Sequence, residues 1–294
     1  MTNGFIFAVS GPDYAGLAQQ AAATVAQHHP DIPIDLFTDQ PCDDPVFTQV
    51  HQLSGSSPRP RFEALLQSRF DNTICLDADL FVIAPIADVF ALLQHFDIAA
   101  AHDQRLNVST HTLVFHTKPV PTAFPQYNSG VFGLRKSDET HAFVRAWEAG
   151  YIAADLGIDQ PILRELLFES RLRIATLPAQ YNVIDMDLIR SFDSRTIAPR
   201  ILHSSLLRTG YKRDVSTATT PEDLVGKDFM QFLRDLQEAD VTLTPKPIQR
   251  VVEAYCDTRP GTKVHPQNNF TMKYSKRTRL RRWWAELKVP FIDT

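Results

Sequence analysis

Four uncharged residues, Thr73-Ile74-Cys75-Leu76, run directly into two carboxylates one residue apart, Asp77-Ala78-Asp79. Leu80-Phe81-Val82 then resumes the apolar run. A short β-branched segment of this kind has the composition of a buried strand. At the carboxyl end of a central strand in an open α/β sheet, an acidic pair faces the crevice where ligands bind. Two hard oxygen ligands there suit Mg²⁺ or Mn²⁺, ions that keep several waters and share themselves with substrate phosphates. The competing reading is a strand-end turn with capping carboxylates. Spacing alone does not choose, because Asp185-Met186-Asp187 repeats it after a polar Tyr181-Asn182 turn.

The surrounding chain supplies the sheet. Phe5 to Val9 reads as a first buried strand broken by Ser10-Gly11-Pro12, and the alanine-rich stretch from Asp13 to about His28 as a helix. Ile34 to Asp39 is a second strand ending in an acid, so the order is βαβ and the sheet is expected to be parallel with right-handed crossovers. Arg61 to Phe70 and Ile86 to Phe96 read as helices, and Asp97 to Asp103 as another strand ending in a carboxylate. Residues 104 to 127 form a long loop, which inside a domain is usually functional. A turn at Asn128-Ser129-Gly130 leads into an apolar strand. Helices follow over His141 to Ile152 and Gln160 to Phe168, with late strands at Arg173 to Leu177 and Arg200 to Leu202. Thr220-Pro221-Glu222-Asp223 is a strong helix start, and that helix is expected to reach about Glu238.

Hydrophobic residues make up 44% of the 294 and charged ones 22%, with a net charge of −4, the balance of a globular protein that is no general polyanion binder. Three cysteines at no metal-ligand spacing fit a reducing compartment. With no signal-like leader and no membrane-length apolar run, the expected location is cytoplasmic.

Together these pieces resemble the nucleotide-sugar glycosyltransferases of the GT-A fold, nearest the branch holding glycogenin and the bacterial lipopolysaccharide galactosyltransferases. The resemblance spans about Phe5 to Lys212 and rests on Asp13-Tyr14-Ala15, Leu76-Asp77-Ala78-Asp79, Asn128-Ser129-Gly130, Asp159-Gln160 and Ile201-Leu202-His203 in order. It implies an α/β, Rossmann-like, mostly parallel sheet flanked by helices, with residues 1–215 as catalytic domain and 216–294 as a helical extension ending in a basic tail. It also implies Asp77, Asp79 and His203 as ligands of Mn²⁺ (or Mg²⁺). Tyr14, Ser10, Asp39, Arg61, Asp77, Asn128 and Lys212 fall to the nucleotide-sugar donor, a UDP-sugar. Asp103, Asp159 and Gln160 then stand beside the transferred sugar, the acceptor is a glycan or glycolipid, and the anomeric configuration is retained. Close relatives follow the histidine with Gly-X-X-Lys-Pro-Trp, whereas this chain reads Ser204-Ser205-Leu206-Leu207-Arg208-Thr209-Gly210-Tyr211-Lys212. Lys212 or Arg208 takes the diphosphate in its place.

Two other functions start from the same residues. A metal-dependent phosphohydrolase also sets Asp-X-Asp after a strand, but near the amino terminus, whereas two βα elements precede it here. A non-catalytic carbohydrate-binding protein on the same fold would bind no nucleotide through a metal. Residues 273 to 294 gather Lys273, Lys276, Arg277, Arg279, Arg281 and Arg282 beside Trp283-Trp284. This composition suits peripheral contact with an anionic membrane surface, or a helix packed on the catalytic domain; nucleic acid is not expected as a partner.

Overall fold

The computed structural model describes residues 1–243 apart from 56, 107, 110–115, 194 and 209–217. β1 (Asn3–Val9) and β2 (Ile34–Thr38) are parallel and joined by α1 (Pro12–His28). β3 (Gln49–Gln52) extends the sheet beyond β2. It is polar and mostly exposed, so its pairing and not its composition makes it a strand. α2 (Arg61–Gln67) leads to β4 (Asn72–Leu76), which pairs parallel with the other side of β1. The chain order therefore reverses at β1, the switch point beside which open α/β sheets bind ligands.

β5 (Leu80–Val82), α3 (Asp88–Leu92) and β6 (Ile98–His102) follow, then β7 (Tyr127–Arg135), α4 (Asp138–Ala154), α5 (Gln160–Glu169) and β8 (Ile174–Leu177). The main sheet has the order β3-β2-β1-β4-β7-β6-β8, and β7 alone runs against its neighbours. β9 (Ile201–His203) pairs with β5 in a separate two-stranded ladder. The apolar run after Asp79 is thus a second strand in a second sheet.

Strand periodicity assigns the two faces. Phe5, Phe7 and Val9 point toward α1, α3 and α7 (Lys227–Ala239), while Ile6 points toward α2, α4 and α5. On the second face Trp147 packs edge-on against Phe62 and tilted against Phe132, and its indole N–H donates to the Asp159 carbonyl at 3.0 Å. Truncating a buried indole of this kind costs about 3–5 kcal/mol.

Three helices depart from expectation. α2 stops at Gln67 because Ser68 is extended, its hydroxyl 2.7 Å from that of Thr73. The helix expected over 86–96 shrinks to α3, flanked by three-residue turns such as His95 N–H to the Leu92 carbonyl. The helix opened by the Thr220 capping box ends as α6 (Pro221–Val225), since Gly226 takes φ 83° before α7 begins. Met230, Phe232, Leu233 and Leu236 of α7 are buried in the same apolar cluster as β1 and α1.

Candidate active site

The tip of β4 is where distant parts of the chain meet. Antiparallel β7 sets Gly130 against it, and the Asp77 N–H donates to the Gly130 carbonyl at 2.8 Å. Three residues on, the β5–β9 ladder pairs Leu80 with His203, and the Ser204 N–H donates to the Asp79 carbonyl at 3.0 Å. Backbone pairing thereby brings His203 to two carboxylates more than 120 positions earlier. Its Nε2 lies 3.2 Å from Asp79 Oδ1 and 3.8 Å from Asp77 Oδ2. One ligand atom from each residue falls within 4.8 Å of the others, so the three could share one cation.

Gly130 makes this convergence sterically possible. A Cβ there would stand 2.3 Å from His203 Cε1 and 2.6 Å from Nδ1, closer than any real side chain approaches. Asn128 and Gly130 lie within β7 and not in the expected turn. The Asn128 side chain is turned inward, its Oδ1 accepting from the Gly130 N–H and from Asn182 Nδ2, each at 2.9 Å.

The carboxylates are already matched by cations. Arg208 Nε donates to Asp79 Oδ2 at 2.6 Å, and Arg61 Nη2 to Asp77 Oδ1 at 2.6 Å. Burial works against charge on Asp79, but His203 and Arg208 outweigh it and hold the carboxyl well below its usual range. On His203 burial also disfavours charge, and Asp79 overrides it to raise the imidazole above its ordinary value. Arg61 is mostly enclosed, 13% of its side chain exposed, and its other Nη donates to the Ser129 carbonyl at 2.7 Å. It therefore braces Asp77 and β7. Arg208, at the lip, keeps 44% of its side chain exposed. The residues fit a divalent cation: two oxygen donors and one nitrogen donor converge, with movable positive charge standing against them.

The remaining expected residues fall around this centre. Asp159 precedes α5 without capping it; its carboxylate is buried 3.3 Å from Arg59 and 3.9 Å from Arg61. Gln160 opens α5 and accepts from Gln126 Nε2 at 3.0 Å. Asp103 is buried after β6, takes the Arg105 N–H at 2.9 Å, and lines a cavity of about 320 Å³ with His102, Gln126 and Arg164. Ser10 and Asp39, at the ends of β1 and β2, are joined directly by a hydroxyl–carboxylate bond of 2.6 Å. Ser10, the Gly11 N–H and Gln40 together lower Asp39 to about 2. Tyr14 is exposed on the first turns of α1, 42% open to solvent. Burial pushes the Cys75 thiol, behind the carboxylates, up to about 12, which leaves it a packing group.

Lys212 and the tail 273–294 lie outside the described residues. Of the loop 104–127, residues 116–124 are held from α5: Glu165 accepts from the His116 and Lys118 N–H groups at 3.0 and 3.1 Å, and Arg164 Nε donates to the Phe124 carbonyl at 2.9 Å. Two participants escaped the sequence reading. Arg59 gave no signal beyond being a second arginine near Arg61. Asn182 gave only the faint one of an amide between Tyr181 and Val183.

No protein family and no curated protein matches this sequence. Solved structures do. An active-site mutant of LgtC superposes with a TM-score of 0.54 at 13% identity, covering 84% of this chain and 98% of that one. The galactosyltransferase LgtC in complex with donor and acceptor sugar analogs gives 0.52 at 13% identity, over 86% and 100%. With the sheet order described above, these similarities define the fold as GT-A, a mixed, mostly parallel α/β sheet flanked by helices. Among the described residues no helix is long and apolar enough to cross a membrane.

Proposed function

We propose that this protein is a metal-dependent glycosyltransferase that moves a sugar from a UDP-sugar to a hydroxyl of a glycan or glycolipid, with retention at the anomeric carbon. The observation that carries this reading is the convergence of Asp77, Asp79 and His203 at the tip of β4, on the ligand side of a GT-A sheet. That the superposable LgtC was solved with donor and acceptor sugar analogs supports the substrate classes.

Asp77, Asp79 and His203 would hold the cation, Mn²⁺ being favoured over Mg²⁺ by the imidazole donor. When bound, such an ion neutralises charge developing on a departing diphosphate. Arg208 adds to that role: it pairs with Asp79 in this structure, and a cation on Asp79 would release its guanidinium toward the diphosphate. Lys212 is assigned to the same group. Tyr14 offers an exposed ring for a base to stack on, and the Ser10–Asp39 pair offers a carboxylate to the nucleoside. Asp103, Asp159 and Gln160 orient the transferred sugar. Asn128 is assigned to that region through its place on β7. Residues that specify the acceptor are assigned to the 104–127 loop and to the chain after residue 215, and the acceptor hydroxyl attacks from the face the diphosphate leaves. Peripheral membrane contact through residues 273–294 is tested by liposome flotation of the chain with and without them.

The deciding experiment measures UDP release from a panel of UDP-sugars with Mn²⁺, for the wild type and for Asp79→Ala. Release that requires Mn²⁺ and disappears in a folded Asp79→Ala protein is expected. Undiminished release in that variant would overturn the proposal.

A further inference from the structure

We propose that Asn182, anchored by Asn128, is a positioning residue that holds the His203 ring with its proton on Nδ1, so that Nε2 is left to face the cation. The inference rests on the metal reading of the cluster and adds a residue which that reading does not contain.

One group in this set of contacts cannot be turned around. The Gly130 backbone N–H can only donate, so the Asn128 atom 2.9 Å away is the carbonyl oxygen. That same oxygen lies 2.9 Å from the Asn182 carboxamide, whose facing atom is therefore its NH₂. The Asn182 oxygen is left toward His203 Nδ1, again at 2.9 Å. An amide oxygen only accepts, so Nδ1 carries the proton. Backbone pairing fixes the same geometry, since the His203 N–H donates to the Val183 carbonyl at 2.9 Å and ties the residue after Asn182 to β9.

The remaining ring nitrogen is the one directed at Asp79 and Asp77. A histidine that ligates a metal through one nitrogen generally donates its other N–H to a fixed acceptor, and loss of that acceptor lowers metal affinity by roughly 10–100-fold. Asn182 is fully buried, with Asn128 and His203 at 7% and 6% exposure, so water has little room to replace a missing partner.

The test combines Mn²⁺ titration, without nucleotide, with ¹H–¹⁵N spectra of the metal-free protein labelled at histidine. The wild type should show a His203 Nδ1–H signal protected from exchange, and Asn182→Leu should lose that protection and bind Mn²⁺ roughly 10–100-fold more weakly. Where Asn182→Leu fails to fold, the wild-type spectrum still decides, since a His203 Nδ1 without a proton refutes the inference by itself. An unprotonated Nδ1 in the wild type, or equal Mn²⁺ affinity of wild type and folded Asn182→Leu, overturns the positioning role while leaving the metal site standing. A wild-type protein that binds no Mn²⁺ overturns the metal site, and the role of Asn182 with it.

Discussion

Asp77-Ala78-Asp79 and Asp185-Met186-Asp187 share a spacing and little else. The first follows a buried strand, and Asp79 is 2% exposed between His203 and Arg208. The second opens a 3₁₀ turn: Asp185 accepts the Asp187 N–H at 3.1 Å, and Asp187 faces solvent 3.2 Å from Arg190. What separates them is the structure opposite each pair. At β4 an antiparallel strand and a two-stranded ladder bring a glycine, an imidazole and two arginines to the acids. At Asp185, among the described residues, the two carboxylates bond only within their own turn. An acidic pair becomes a candidate ligand set when other strands close around it, whatever its local sequence.

Deleting one acid from each pair tests this difference most directly. Asp79→Ala should abolish Mn²⁺ binding and lower sugar transfer by at least about 10²-fold, the scale on which single transition-state-stabilising groups act. Asp187→Ala should leave both unchanged. Equal losses in titration and turnover would erase the distinction. Gly130→Ala tests the closing-in itself: a methyl 2.3 Å from the His203 ring should displace it and weaken Mn²⁺ binding about tenfold, or about 1.4 kcal/mol, in a folded protein.

Arg208→Gln sharpens the account of how charge is matched before a cation arrives. Without the guanidinium on Asp79, Mn²⁺ should bind the nucleotide-free protein more tightly, while calorimetry with UDP and Mn²⁺ should show weaker nucleotide binding. A fall in both affinities would mean that Arg208 supports the carboxylate and does not compete for it. Asp185→Ala should leave Mn²⁺ titration unmoved and cost about 1 kcal/mol in urea unfolding, the usual loss when a capping acid is removed.

The smallest effect is expected from Asp39, an acid held by a turn and by Ser10. Its carboxyl is lowered from 3.8 to about 2, so the folded state favours the charged form. The associated stability is present above pH 3.8 and disappears as pH falls through about 2. Ser10→Ala should bring the Asp39 titration, followed by NMR, closer to 3.8 and narrow that window.

Much of the frame is local information and was legible. β1, α1, β2 and β4 follow from apolar period and punctuation, because a central strand buried on both faces admits few polar residues. β3 was not legible: its four residues form a strand only because the β2 edge is there to pair with. Helix ends were lost for a similar reason, Ser68 leaving α2 to meet Thr73. In the site, Asp77 and Asp79 stand out as neighbours at a strand tip, and His203 as the end of a late strand. Asn182 does not stand out, because its place depends on three side chains from separate elements.

Histidines show the limit clearly. His29 and His203 are both buried, yet burial brings His29 down to about 4 while its Nε2 accepts the Ile86 N–H at 3.0 Å, and Asp79 raises His203. What each ring faces across the fold makes the difference, a backbone N–H for His29 and a carboxylate for His203. The sequence by itself determined the alternation of strands and helices and the presence of two acids at the end of a buried strand, since both depend on side chains within a few residues of one another. The tertiary structure alone decided which atom of His203 faces those acids, which arginines neutralise them and which amide orients the ring. Those are matters of a few ångströms between segments that meet only when the sheet has formed.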